Sequence, residues 1–371
     1  MRTLCMCKTA LLAITGFLVC TPSYSGTVNE RDTITLDNGK VRLMVNIHGG
    51  AIADYSFVDQ GLNPLSWRQG GAQNATTTRM GHFVCFDRVG KPSETEKAKG
   101  IPSHGEATSV LWKVIDQASH ENGNMYVRLE CKLPIATMSL TREICLFKDS
   151  SICKVTDRIK NENKFGKLYN IMQHPCISSP FLDTSVIVDC SASTGFMNTK
   201  ESETIPGPLS SWPMIESKDT QVNLRVMNDT NTMVANFISE KDNIHGWSCV
   251  SNSSRQLMLG YVWNTAEYPW IRVWRRFKKE APYGMSIEFS TTPLAIPFGD
   301  ILKVGNLLDT PTIEYLDPDI EVEKTFYMFL SKIPHDFTGV KSVSLEKNQL
   351  VIEEKDSARA RQLTLEYNEE K

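Results

Sequence analysis

Three short, widely separated stretches each place an ionisable side chain beside a turn or at the end of an apolar run. They are Gly100-Ile101-Pro102-Ser103-His104-Gly105-Glu106, Met172-Gln173-His174-Pro175 and Gly284-Met285-Ser286-Ile287-Glu288-Phe289. Two histidines and a glutamate brought together by a fold can deliver a proton to one atom of a substrate and remove one from another. Such chemistry calls for no metal, no cofactor and no covalent intermediate. Pro102 and Gly105 keep His104 out of regular structure, and the glycine lets a ligand approach the main chain closely. Pro175 places His174 where a strand ends. Strand alternation puts Glu288 on the face opposite Ile287 and Phe289, either solvated or lining a cleft. Each residue taken singly also fits a plain role: a loop histidine, a satisfied strand-end histidine, an exposed glutamate.

Other candidates would bind rather than react. Arg88, in Phe86-Asp87-Arg88-Val89, offers a planar donor for hydroxyl groups or a partner for Asp87, and His82 nearby is ambiguous. The most aromatic segment runs from Tyr261 to Trp274 and includes Trp263, Trp270, Arg272 and Trp274. Alternation places Trp270, Arg272 and Trp274 on one face, against Ile271 and Val273 on the other. Aromatic faces beside polar donors suit the C–H faces of a pyranose, although a second packing face explains Trp274 at least as well. The basic run Arg275, Arg276, Lys278 and Lys279 would attract an anionic sugar or simply mark a solvated strand end.

The elements that must position these residues read as strands. Thr33 to Leu36, the turn Asp37-Asn38-Gly39, and Val41 to Ile47 form a hairpin pattern. Met125 to Leu133 alternates, as do Val343, Leu345, Leu350, Ile352, Leu363 and Leu365 near the C-terminus. Amphipathic helices are scarce, and no linker or internal repeat divides the chain. The pattern predicts one all-β domain over residues 26–371, with two packed antiparallel sheets.

A positive start, an apolar run from Ala10 to Val19 and the small residues Ser23 and Ser25 predict a secretory leader over residues 1–25, and hence an exported, periplasmic or secreted protein. The apolar run is too short to span a bilayer, and no later one is long enough. Forty basic residues against 43 acidic ones, a net charge of −3, give no hint of nucleic acid. The cysteines beyond the leader are Cys85, Cys131, Cys145, Cys153, Cys176, Cys190 and Cys249, an odd set without a close pair. They read as mostly free thiols of the core.

Taken in order, these segments resemble the aldose 1-epimerase (galactose mutarotase-like) family. The resemblance rests on Ile47-His48-Gly49-Gly50, Pro102-Ser103-His104-Gly105-Glu106 with Trp112 eight residues after the histidine, His174 followed by Pro180-Phe181-Leu182, Pro269-Trp270, and Glu288 with Pro293 five residues on. It implies a large β-sandwich of antiparallel strands, an isomerase that interconverts the α and β anomers of an aldose or an oligosaccharide reducing end by acid–base ring opening, and a carbohydrate substrate: a hexose, a uronic acid or an oligosaccharide. It assigns His174 as the acid that protonates the ring oxygen, Glu288 as the base at the anomeric hydroxyl, His104 as an orienting residue and Arg88 as a clamp. His174 would then titrate near neutrality. Gln173-His174-Pro175-Cys176 and Phe86-Asp87-Arg88-Val89 depart from the family pattern, and its sugar-binding aspartate has no counterpart here.

Other readings of the same residues are a carbohydrate-binding protein, a glycoside hydrolase or polysaccharide lyase on a similar sandwich, and a purely structural exported β protein. A non-catalytic carbohydrate-binding protein would use Trp263, Trp270 and Arg272. A glycoside hydrolase needs two carboxylates, whereas a polysaccharide lyase needs a histidine or tyrosine base with an arginine such as Arg88 or Arg272. Convergence of His104, His174 and Glu288 in one pocket separates the enzymatic readings from a lectin-like one.

Overall fold

The computed structural model describes residues 27–28, 31–71, 77–119, 122–197, 206–217, 220–240, 243–356 and 358–369. The expected leader lies outside the described residues. The expected turn Asp37-Asn38-Gly39 joins strands Arg31–Asp37 and Val41–Asn46, which pair with Leu36 opposite Leu43. Helix is rare: the α-helices among the described residues are Glu94–Ala98 and Phe298–Val304. None of the helices is long and apolar enough to cross a membrane.

Two large antiparallel sheets dominate, one of eleven strands and one of eight. The middle of the larger sheet runs, edge to edge, through Ala51–Phe57, His82–Phe86, Ile171–Ile177, Ala281–Ser290, Trp270–Lys278 and Met233–Ser239. Alternation gives these strands two different faces. Val84, Phe86, Ile171, Ile287, Phe289, Ile271 and Val273 pack into the core against the smaller sheet, with partners such as Val127, Leu129 and Phe326. Phe83, Cys85, Met172 and Cys176 form a second cluster on the outer face, with Met80 and Val89. The candidate residues His174, Arg272 and Glu288 lie on this outer face.

The C-terminal alternation builds a third, separate sheet of three strands, Val340–Glu346, Gln349–Glu354 and Gln362–Glu366. Its Val343, Leu350 and Ile352 pack with Trp247, Met258 and Phe329 of the eight-stranded sheet. The described cysteines Cys85, Cys131, Cys145, Cys153, Cys176, Cys190 and Cys249 are all free.

Candidate active site

Register brings the distant segments into one row. His174 pairs with Phe83 on one side, and Glu288 pairs with Arg272 on the other. Between them, strand Ile171–Ile177 pairs with strand Ala281–Ser290 at Met172↔Ser290, Gln173↔Phe289, Cys176↔Ser286 and Ile177↔Met285. That register sets His174 across from Glu288, at the point where the ladder is interrupted. Pro175 accounts for the interruption, because it has no N–H to donate. The strand therefore continues through His174-Pro175 instead of ending there as the sequence suggested. Phe83, His174, Glu288 and Arg272 thus lie side by side across four neighbouring strands.

The contacts within the row are close. His174 Nε2 lies 3.2 Å from Glu288 Oε1, and Arg272 Nε lies 3.5 Å from Glu288 Oε2. Ser286 donates to Glu288 Oε1 at 2.5 Å, whereas Oε2 is buried without a hydrogen-bond partner. The Phe83 ring stacks on His174 at 4.5 Å. His104 arrives from the loop that precedes Glu106, with its ring 5.3 Å from that of His174 at a steep angle. The three expected residues converge.

His104 has φ +66° and Gly105 φ +81°. A Cβ on Gly105 would stand 1.9 Å from the carbonyl oxygen of Phe86. The glycine is needed to press the loop against strand His82–Phe86, so the main chain it lets close is the protein's own and not a ligand's approach. Glu106 anchors the same loop by accepting from the amides of Ile135 and Ala136.

A cleft of about 490 Å³ opens over the row, lined by Trp67, Arg79, Lys91, His104, Trp274 and Arg276 together with His174, Arg272 and Glu288. Depressions of about 780 and 660 Å³ lie elsewhere, with no histidine in their walls. Size does not pick out the site; convergent titratable groups do. Trp67 and Trp274 meet edge to face at 5.9 Å and form an aromatic wall. Arg79, Lys91 and Arg276 make no ion pair with any described carboxylate, and Glu288 is the one acidic residue among the described lining residues.

Burial shapes the proton affinities. It pushes the Glu288 carboxyl up to about 7, against the opposing pull of Arg272 and the Ser286 hydroxyl. Burial also brings His174 down to about 3, aided by Arg272 and Arg79. The expectation that His174 titrates near neutrality is therefore overturned by desolvation beside two guanidinium groups. His104 is held well below its usual range by burial and by His174.

Three expected sugar contacts lie outside the cleft. Arg88 is buried, donates to the carbonyls of Lys91 and Ile296, and sits 3.6 Å from Glu96. It ties two loops together. Trp270 shares a face with Arg272 and Trp274, but that end of the face is closed by Leu294, Ile301 and Leu307, and the indole donates to Pro311. Trp263 stacks on Phe289 in the inter-sheet core at 4.4 Å and donates to the carbonyl of Tyr268. His82 is buried against Gln173 and the ring of Tyr261. Arg272 is the expected binding residue that reaches the site.

Comparison with protein-family models gives no match. Comparison with curated proteins gives none either. Solved structures do match. A galactose mutarotase-like protein from Clostridium acetobutylicum superposes with a TM-score of 0.64 and 13% identity, over 83% of this chain and 98% of that one. A galactose mutarotase related enzyme from Lactobacillus acidophilus gives 0.58 and 13%, over 81% and 98%. A galactose mutarotase-like protein from Lactobacillus casei gives 0.55 and 11%, over 81% and 100%. This chain has the galactose mutarotase-like fold.

Within this mutarotase-like sandwich, sequence reasoning missed Arg79, Ser286, Cys85 and Cys176. Ser286 and Cys176 were accessible in principle, each two residues from a candidate and therefore on its face. Arg79 has no such signal, because its place depends on how a long loop folds over the sheet.

Proposed function

We propose that the protein interconverts the α and β anomers of a reducing sugar, free or at the end of an oligosaccharide, by acid–base opening and reclosure of the ring. The observation that carries this reading is the 3.2 Å approach of His174 Nε2 to Glu288 Oε1 inside a sugar-sized cleft. Burial disfavours charge on both groups, so the resting pair holds one proton, as a carboxylic acid beside a neutral imidazole. Transfer of that proton to His174 gives the working form, carboxylate and imidazolium, with Arg272 stabilising the carboxylate.

A sugar seated over the pair, with its anomeric hydroxyl toward Glu288 and its ring oxygen toward His174, meets this form. Glu288 takes the proton of the anomeric hydroxyl while His174 gives its Nε2 proton to the ring oxygen. The bond between C1 and the ring oxygen breaks, and its electron pair leaves with that oxygen. The C1–O1 bond becomes a carbonyl. The pair is now back in its uncharged state, with the open chain free to turn about C1–C2. Reclosure reverses each transfer on the other face of the carbonyl. His104 orients the sugar. Positioned acid and base groups each contribute roughly 10²–10⁴-fold.

The unbalanced charge of Arg79, Lys91 and Arg276 favours a sugar bearing a carboxylate, phosphate or sulfate group. The expected leader would place the reaction outside the cytoplasm. Burial of Trp263 and Trp270 takes these two out of a binding role, and a purely binding reading would rest on the Trp67–Trp274 wall and Arg272 instead. A lyase reading keeps some support from the cationic cleft, with Arg272 neutralising a uronate and a histidine as base.

The test is anomer exchange by proton NMR on glucose, galactose, glucuronate, galacturonate and a hexose 6-phosphate, with wild type, Glu288→Gln and His174→Asn. Acceleration lost in both variants supports the reading. A folded wild type that accelerates none of them overturns it. An unsaturated, ultraviolet-absorbing product from an oligouronide would establish the lyase instead.

A further inference from the structure

Each histidine of the cleft has a thiol behind it. Cys176 Sγ lies 3.1 Å from His174 Nδ1, and Cys85 Sγ lies 3.3 Å from His104 Nδ1. Both cysteines are buried on the outer face of the large sheet. Strand alternation carries Cys176 there, two residues after His174. Cys85 arrives beside Met172 from the neighbouring strand.

The two rings differ in what else they meet. His104 Nδ1 also faces the backbone N–H of Gly90 at 3.4 Å. An amide N–H only donates, so this nitrogen is an acceptor and the ring proton sits on Nε2. Cys85 then donates its S–H to the same lone pair. Among the described residues His174 Nδ1 meets no backbone donor, and its Nε2 faces Glu288. A protonated Glu288 carboxyl donates to Nε2, which leaves the ring proton on Nδ1, where it donates to Cys176 Sγ.

We propose that Cys176, and Cys85 together with the Gly90 amide, are positioning residues that hold the two histidines in opposite tautomers: His174 protonated on Nδ1 and His104 on Nε2. This rests on the acid–base reading of the cleft and adds a division of labour to it. His174 keeps its Nδ1–H through the whole cycle, so Nε2 is the atom that gains and loses the proton. His104 presents a permanent N–H donor for a sugar oxygen.

Sulfur suits the place behind His174. A carboxylate there would raise the proton affinity of the ring, as Asp–His pairs do, and hold the working proton too tightly. A neutral thiol fixes the tautomer without that charge. Burial keeps the Cys176 thiol protonated, so no thiolate competes.

The experiment is a long-range proton–nitrogen correlation spectrum of the ¹⁵N-histidine-labelled full chain, with signals assigned from His174→Asn and His104→Asn. The expected wild-type pattern is Nδ1–H for His174 and Nε2–H for His104. Near pH 7, where the Glu288 carboxyl is partly ionised, Cys176→Ala should leave His174 as a mixture of tautomers that follows the charge on Glu288, and Cys176→Ser, whose hydroxyl also accepts, should restore Nδ1–H. Anomer exchange should follow: kcat about five- to tenfold lower in the alanine variant with KM held, as expected for one neutral hydrogen bond, and recovered in the serine variant. Wild-type His174 protonated on Nε2 overturns the proposal. So does an unchanged tautomer in a Cys176→Ala protein whose near-ultraviolet circular dichroism is native. Expected tautomers in a protein that exchanges no anomers would support the thiol assignment and overturn the catalytic reading, so the two fail separately.

Discussion

Strand Ile171–Ile177 touches an arginine–carboxylate pair from each of its faces, through Gln173 on one and His174 on the other, and the two pairs are built differently. On the inner face, Arg142 grips Asp157 with two bonds of 2.7 Å, and Gln173 links that pair to Tyr268 and His82. On the outer face, Arg272 approaches Glu288 only once, at 3.5 Å, and leaves Oε2 without a hydrogen bond. The inner pair is fork to fork and fully buried, the geometry that offsets the cost of removing charge from water. The outer pair lacks that compensation, so burial dominates and the carboxyl keeps its proton up to about 7. One residue of displacement along the strand, from Gln173 to His174, separates contact with an ion pair of the smaller sheet from contact with a carboxyl that can exchange protons.

The sharpest test of this contrast exchanges the two carboxylates' fates. Glu288→Gln should lower anomer exchange by roughly 10²–10⁴-fold with little change in unfolding midpoint, because the neutral amide suits a site that already favours a neutral acid. Arg142→Ala should do the reverse. It strands Asp157 in the core and should cost about 3–5 kcal/mol in denaturant unfolding, while activity per folded molecule falls little. Equal losses of stability in both variants would erase the distinction between the faces.

The faces themselves were legible in the sequence. Alternation separated Glu288 from Ile287 and Phe289, and the hairpin expected at Asp37-Asn38-Gly39 is present. His104, His174 and Glu288 converge as anticipated. What alternation cannot supply is the row, since register between strands more than 100 residues apart is set by the whole sheet. Trp270 shows this: it is on the face of Arg272, yet the chain around Leu294 to Pro311 covers it. Arg88 fails for a related reason, because its partners, Ile296 in a loop and Glu96 in the short helix Glu94–Ala98, belong to segments whose meeting no local pattern records. Proton affinities were the least legible of all. Type alone suggests a histidine near neutrality, whereas desolvation and two arginines set His174 far lower.

The pH profile tests the outer pair next. The working pair needs exactly one shared proton, and the carboxyl that holds it at rest titrates at about 7. As pH rises through that value the pair loses the proton, the acid disappears, and kcat/KM should fall by about tenfold per pH unit. Below it the proton is retained and the rate should level off until His174 gains a second one. Burial sets these positions first, with Arg272 acting on both groups, Ser286 on Glu288 and Arg79 on His174. A rate that instead rises through neutrality would mean that Glu288 works as a carboxylate beside an uncharged donor, and the one-proton scheme would fall.

The smallest expected effect concerns the cations that the inner face lacks. Every described charge in the Arg142 cluster is matched, whereas Arg79, Lys91 and Arg276 stand around the cleft with no carboxylate. Arg79 donates to the Ser103 hydroxyl at 2.8 Å, which fixes its guanidinium beside the His104 loop. A negative substituent on the sugar would supply the missing partner, and the hydrogen bond would be charge-assisted. Arg79→Gln should therefore lower kcat/KM for a uronate or a sugar phosphate by about tenfold and leave the neutral aldose nearly unchanged. Added salt should narrow the gap between anionic and neutral sugars in wild type more than in the variant, because screening acts on the charge that the substitution removes. Equal losses on both sugars would assign Arg79 to holding the His104 loop, and the cleft would then select its ligand by shape.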